Sequence, residues 1–364
     1  MDDCKTRVIH LQTDQSTLFT PIRDEQLQYA ADIIRSGDVV AFPTETVYGL
    51  GANALDQDAS LKIFKVKNRP SDNPLIVHIS SMNMLGLLAS SVPDAARILI
   101  ERFWPGPLTI LFTKTPQVPD AVTAGQPTVA VRMPSHPIAR RLIYLSNTPI
   151  AAPSANISGR PSPTTARDVL DDLNGRIKCL IDGGPCTFGL ESTVVDVNQN
   201  PPAILRPGAV TLEKIREALH DVRDLSLCRP SEPDEHFKPP TPGLKYRHYS
   251  PTAKVVLYEG SSHSIQKRLV HDVQTLLNSG KKVGLVNTRG KSIAIPEDLA
   301  SKIQIVALGN KANLTPIAQH LFTTFRELDR LNVDTILIMS VPTQKEGLAI
   351  MNRIRKAASE VIRA

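Results

Sequence analysis

The sequence predicts an α/β protein built of two domains, and three observations carry that expectation. At 364 residues the chain is longer than one average domain. Short apolar runs rich in valine, isoleucine and leucine alternate with segments of helical spacing from end to end. A proline-rich stretch near residues 225–252 interrupts that alternation, which then resumes.

Thr20-Pro21 followed by Asp24 and Glu25 reads as a helix start, with acids near the positive end of the helix dipole. Leu27, Ala30, Ala31 and Ile34 continue it at helical spacing as far as Gly37. Residues 38–42 form a buried strand that Pro43 breaks. ASLKIF is helical, Pro70 ends that helix, and Asn73-Pro74 opens a strand LIVHI. Helices are expected at about 81–90 and 94–103, followed by the strand in PGPLTILF. In TVAVRMP, Thr128 and Arg132 share one strand face. Further strands follow in IAAPSANISG, at the start of IDGGPCTFGLESTVVDV, again after its glycine turn where Glu191, Ser192 and Thr193 enter a strand, and in ILRPG; VTLEKIREAL is a closing helix. Beyond the proline-rich stretch the expected order is strand AKVVLYE, helix about 264–278, strand KKVGLVN, a strand near 303–308, helix about 315–331, strand DTILIMSV and a basic helix about 346–362. That is a small domain with a mainly parallel sheet.

Charge divides the chain in the same way. Residues 1–252 carry 26 Lys and Arg against 27 Asp and Glu, whereas residues 253–364 carry 16 against 9. A moderately basic domain is more often solvated than bound to RNA. Cys4, Cys179, Cys186 and Cys228 form neither a C-x-x-C pair nor a zinc spacing, so a disulfide framework and a cysteine-held metal are not expected. No apolar run approaches the roughly 18 residues of a membrane span, and the N-terminus lacks a signal-like core, which together point to a cytoplasmic protein without a membrane partner.

The chemistry concentrates between Phe42 and Ile79. Thr44, Glu45, Thr46, Tyr48, Asn53, Lys67, Arg69, Ser71, Asn73 and His78 lie among apolar strands, and buried polar groups need partners. An anionic ligand among them explains the set better than turns and caps alone. Arg132, facing inward from a short apolar strand, needs a counter-anion, either a structural Asp or Glu or a ligand carboxylate. Ser154, Asn156, Ser158 and Gly159 make an anion nest of backbone amides; a nucleophilic Ser154 would want a G-x-S-x-G elbow, which is absent. Gly49-x-Gly51 matches the loose dinucleotide fingerprint, but PTETVY separates it from the strand and Arg69 stands where an acid belongs. These glycines read instead as points of close approach to a ligand. Gly184 and Gly189 lack the Lys and Ser or Thr of a P-loop, and Cys186 reads as a packed thiol.

Taken jointly, PTETVYGLG, KNRPSDNPLIVH, FWPGPLT, VAVRMP, PSANISG, GLESTVVD, LRPGA, PGLKYRHYSP and AIMNRIRKAA resemble the two-domain threonylcarbamoyl-AMP synthase family, in the family's order and over nearly the whole chain. The resemblance implies a YrdC-like twisted α/β domain with a central mixed sheet over residues 1–224, a linker at 225–252 reaching over the active site, and a smaller Rossmann-like domain at 253–364. It implies synthesis of threonylcarbamoyl-adenylate and pyrophosphate from L-threonine, bicarbonate or CO2, and ATP, with Mg²⁺ brought by ATP and no metal held by the protein itself. The product would serve a downstream tRNA threonylcarbamoyl transferase acting on tRNAs that read ANN codons, so that tRNA is an indirect partner.

Carried over by position, the family's KxR and SxN catalytic pairs are Lys67 with Arg69 and Ser154 with Asn156. Threonine contacts are Thr46, His78, Arg132, the backbone of Ala152, and Ser192. Nucleotide contacts are Arg69, Asn73, Thr128, Ser154, Ser162, Arg206 and Tyr249, with Thr44 and His248 as alternatives to Thr46 and Tyr249. Such a reaction needs positioning and charge neutralisation more than a nucleophile, and His78 and Lys67 are both candidates for proton transfer. Two other functions compete. An RNA-binding module would want more aromatic platforms than one Trp and six Tyr supply. A carbamoyl-transfer domain of hydrogenase maturation would add zinc-finger cysteines and an acylphosphatase segment.

Overall fold

A computed structural model describes residues 5–11, 21–224, 241, 248–290, 294–310 and 312–364. Cys4, Cys228 and most of the expected linker, Tyr246 and Arg247 included, lie outside the described residues. The chain divides into two compact units, Met1–Ser158 with Ser162–Tyr246, and Gly159–Pro161 with Arg247–Ala364.

In the first unit the short apolar runs become strands: β1 (Arg7–His10), β2 (Val40–Phe42), β3 (Gly49–Asn53), β4 (Ile76–His78), β5 (Leu108–Thr113), β6 (Thr128–Arg132), β7 (Ile150–Ala151), β8 (Cys179–Asp182), β9 (Thr193–Asp196), β10 (Ala203–Arg206) and β11 (Arg223–Asp224). They form one sheet in the order β1-β8-β2-β3-β7-β4-β6-β5-β9-β10-β11. The sheet is mixed: β4 and β6 run parallel, β7 is antiparallel to β4, and β5 is antiparallel to β6. Successive residues of a strand face opposite sides, so Val39 and Ala41 enter one apolar cluster while Val40 and Phe42 enter another. Helix Gln57–Lys67 contributes Ala59, Ile63 and Phe64 to the first cluster, and helices Pro21–Arg35 and Pro137–Ser146 cover the second. Burial of both faces explains why these strands read as continuous apolar runs rather than alternating ones.

The glycines of GLGAN act differently from the expectation. Gly49 to Asn53 is the strand β3, paired with β2 and β7, and not a ligand-facing turn. A Cβ on Gly51 would lie 2.6 Å from Ile150 Cγ2 and 2.7 Å from the Phe42 ring. The glycine is required by sheet packing. Gly51→Ala is therefore expected to destabilise the first unit by about 1–3 kcal/mol, as overpacking of a filled core does, read as a lower urea midpoint at unchanged slope.

The second unit holds β12 (Lys254–Glu259), β13 (Val283–Asn287), β14 (Gln304–Ala307), β15 (Thr335–Met339) and β16 (Glu360–Arg363), all parallel in the order β14-β13-β15-β12-β16. Helices Ser262–Asn278 and Thr315–Arg330 connect them and bury their apolar stripes. One element departs from expectation. The basic helix ends at Ala357, Ala358 is already extended, and residues 360–363 form β16 beside β12. The run Val361-Ile362 is β-branched, and tertiary pairing overrides the helical continuation.

Candidate active site

Sheet register brings the distant polar residues into one row. His78 pairs with Arg132 across β4 and β6. Arg132 follows Val131, which pairs with Ile110, so Thr109 of β5 is its next neighbour. Leu108 pairs with Thr193 across β5 and β9, placing Ser192 beside this end of β5, and Arg206 pairs with Val194 from β10. At about 4.8 Å per strand, the row from His78 to Arg206 spans roughly 19 Å. It holds two guanidinium groups, and both are buried.

Arg132 is clamped on three sides. Its Nη2 lies 2.6 Å from Glu45 Oε1, its Nη1 donates to Thr46 Oγ1 at 2.8 Å, and its Nε donates to Gly106 O at 3.2 Å. Of the two counter-anions the sequence left open, the fold supplies the structural one, Glu45. Thr46 is held in turn by Thr44, whose hydroxyl donates to Val47 O and accepts the Thr46 and Val47 amides. Burial would raise the Glu45 carboxyl, but the Arg132 charge and the Ser135 amide outweigh it and hold the group below its ordinary range. His78 stands edge-on to the Phe42 ring, and burial, reinforced by the Arg132 charge, pushes it down to about 3. His78 is thus neutral at physiological pH, and its Nδ1 has no hydrogen-bond partner among the described residues.

The KxR and SxN pairs form a second group. Lys67, the last residue of its helix, is 1% exposed. Its ammonium donates to the carbonyls of Ser154 and Asn156 and, at 3.5 Å, to Asn156 Oδ1. Ser154 Oγ donates to Asn156 Oδ1 at 2.5 Å. Lys67 therefore shapes the PSAN loop instead of pointing a bare ammonium at a ligand. Arg69, just past the left-handed Asn68 cap, donates through Nη2 to the carbonyls of Asn73 and Pro74. Asn73 is 1% exposed, and neither its Nδ2 nor its Oδ1 has a hydrogen-bond partner among the described residues. Such a group is poised for a ligand. Arg69 and Asn73 precede β4, whereas His78 ends it, so about 7 Å of strand separates the two groups. Ala152 donates its amide to Ile76 O between them.

Ser192 and Arg206 are brought together: Arg206 donates to Ser192 O at 2.9 Å and to Ser192 Oγ at 3.2 Å, and Thr109 shares a 2.7 Å hydrogen bond with the Ser192 hydroxyl. Ser162 donates to Glu191 Oε1 at 2.6 Å, next in sequence to Ser192. Gly208 makes this possible, because a Cβ there would come within 2.4 Å of the Glu191–Thr193 backbone. Thr128 stands at the other end of β6 from Arg132, about 13 Å away along the strand. Tyr249 belongs to the second unit, where its ring stacks on Phe322 at 5.3 Å and Arg353 lies over it. Cys186 is a free thiol pushed up by burial. Glu45, Thr109 and Glu191 were not assigned roles from the sequence, although TETVY and GLEST carry the two acids among hydroxyls, which is the pattern that could have flagged them. Among the described residues, no group of three or more His, Cys, Asp or Glu could hold a metal.

Buried His78 and half-buried His136 give the protein a pH-dependent stability. His136 is pushed down to about 4 by burial, and both rings protonate near 6.5 when unfolded. Below pH 6.5 the unfolded chain then binds more protons than the folded one, so stability falls as pH falls. At pH 5 each ring costs about 2 kcal/mol. The Glu45 contribution, present above about 4.5, is lost only at lower pH. Urea midpoints should drop between pH 7.5 and 5.0, and His78→Asn should recover about half of that drop.

Comparison with known proteins covers both units. The family model described as telomere recombination matches residues 32–208, and that described as threonylcarbamoyl-AMP synthase, C-terminal domain, matches residues 210–359. The threonylcarbamoyl-AMP synthase of Pyrococcus abyssi is 45% identical over 337 residues, covering 93% of this chain and 95% of that protein. The Bacillus subtilis enzyme of the same name is 46% identical over 340 residues, covering 92% and 93%. A Pyrococcus abyssi crystal structure complexed with L-threonine superposes with a TM-score of 0.88 at 43% identity, covering 99% of this chain and 100% of that one. No helix among the described residues is long and apolar enough to cross a membrane. With both of its units matched and nearly half its residues identical to those relatives, the chain belongs to the threonylcarbamoyl-AMP synthase family.

Proposed function

We propose that this protein forms threonylcarbamoyl-AMP and pyrophosphate from L-threonine, bicarbonate or CO2, and ATP. The observation that carries this reading is the polar row itself: two buried guanidinium groups, Arg132 and Arg206, set among hydroxyls and a neutral imidazole at adjacent strand ends. Guanidinium groups suit carboxylate and phosphate alike. The substrate amine adds to CO2, and an oxygen of the resulting carbamate attacks the α-phosphorus of ATP, with pyrophosphate leaving.

On this reading Arg132, Thr46, His78, Ser192 and the backbone of Ala152 receive threonine, and neutral His78 offers a hydrogen bond without adding charge. Arg69, Asn73, Ser154, Ser162 and Arg206 receive the nucleotide, while Thr128 contributes from the far end of β6. Lys67 keeps Ser154 and Asn156 in place. Magnesium arrives with the triphosphate, held by phosphate oxygens and water, and shields its charge. The product passes to a tRNA threonylcarbamoyl transferase that modifies tRNAs reading ANN codons. The enzyme works in the cytoplasm, where the free thiols of Cys179 and Cys186 persist.

Purified protein is expected to release pyrophosphate from ATP only when L-threonine, bicarbonate and Mg²⁺ are all present, and chelation by EDTA should abolish the release. Equal release without threonine would show an ATPase of another kind.

A further inference from the structure

Glu45 has a second oxygen that the fold leaves unused. Oε1 is engaged twice, by Arg132 Nη2 at 2.6 Å and by the Ser135 amide at 3.0 Å. These two contacts fix the carboxylate. Oε2 is buried and has no hydrogen-bond partner among the described residues. A buried carboxylate oxygen without a donor is costly, because its desolvation is not compensated. The charged groups around Glu45 do not remedy this: Arg132 is committed to Oε1, Thr46 and Gly106, while His78, His136 and the Cys186 thiol are neutral near pH 7. Among the described residues no complementary cation is left for Oε2.

Resting on the assignment of an amino-acid substrate above, we propose that Glu45 is a substrate-binding residue: its Oε2 receives the α-amino group while Arg132 receives the α-carboxylate. The two side chains lie side by side, and an α-amino acid carries its two charges on groups joined through one carbon. Ligand and dyad then form a closed square of alternating charges, neutral overall, which is the arrangement a low-dielectric site tolerates. The depressed Glu45 carboxyl fits a group that holds the amine and not one that deprotonates it, since Arg132 weakens it as a base. Selection follows from the same geometry. A site whose carboxylate expects a donor rejects an analogue that lacks one.

The test compares two ligands by calorimetry, L-threonine and (R)-3-hydroxybutyrate, which is threonine without its amine, in wild type and in Glu45→Gln. Glutamine keeps the shape and can still accept from Ser135, but it removes the charge. The ratio of threonine to hydroxybutyrate affinity is expected to fall by about 10- to 100-fold in the variant, the worth of one charge-assisted hydrogen bond. An unchanged ratio overturns the proposal, even if both affinities drop, because Glu45 would then act only through Arg132. Where Glu45→Gln fails to fold by its melting curve, the wild type alone decides: equal affinity for the two ligands overturns the proposal, and a preference of tenfold or more for threonine supports it. Wild type that binds no threonine at all removes the functional assignment as well, a result distinct from the ratio.

Discussion

Arg132→Ala is expected to abolish threonine binding and turnover together. The guanidinium sits in the polar row and is 3% exposed, with Thr46, Gly106 and Glu45 holding it from three directions. Truncating one partner of a buried, hydrogen-bonded charge pair costs about 2–5 kcal/mol, so threonine affinity should fall roughly 100- to 1000-fold. The same substitution strands Glu45 without its counter-ion, and folding stability should drop by about 3–5 kcal/mol. Calorimetry with threonine and a melting curve separate the two effects. Arg132→Lys should recover stability better than affinity, because an ammonium can neutralise Glu45 but cannot fork between Thr46 and a carboxylate. Threonine affinity that survives in Arg132→Ala would reassign the carboxylate site.

Lys67→Met should have a comparable effect by another route. The Lys67 ammonium joins the carbonyls of Ser154 and Asn156, 87 and 89 residues away in sequence, to the end of helix Gln57–Lys67. Methionine fills the space but removes that donor from both carbonyls, of which Ser154 O keeps the Asn156 amide, and the loss is about 1–3 kcal/mol in all. The PSAN loop then loses its shape. Misplacement of positioning groups by an ångström costs on the order of a hundredfold in rate, so turnover should fall at least that far. Threonine affinity should change little, since Arg132, Thr46 and Ser192 are not held by Lys67. Strongly weakened threonine binding in Lys67→Met would show that the two groups of the site are not independent.

Much of this was legible in the sequence, and what escaped it has a physical cause. The strands β2, β4, β5 and β6 and the helices Gln57–Lys67, Asp94–Phe103 and Thr315–Arg330 announce themselves by local apolar pattern and breakers. The polar residues at their ends stand out because nothing local explains them. The pairings do not: Glu45 meets Arg132 from 87 positions away in the chain, and no period in the sequence encodes which acid answers which base. The glycines of β3 were misread because a glycine that makes room for a ligand and one that makes room for Phe42 look identical in one dimension. The short strand β16 was hidden inside a basic run that is helical up to Ala357.

The strand order of the second unit has a consequence for how the chain emerges from the ribosome. Strand β12, fourth in the order, is flanked by β15 and β16, which both follow it in the sequence, and neither neighbour exists when β12 appears. Pairings this distant in sequence form slowly. Until residues 335–339 have been translated β12 presents two bare edges, and one of them stays bare until residues 360–363 follow, so nascent chains stalled before that point are the ones a chaperone must shield from aggregation.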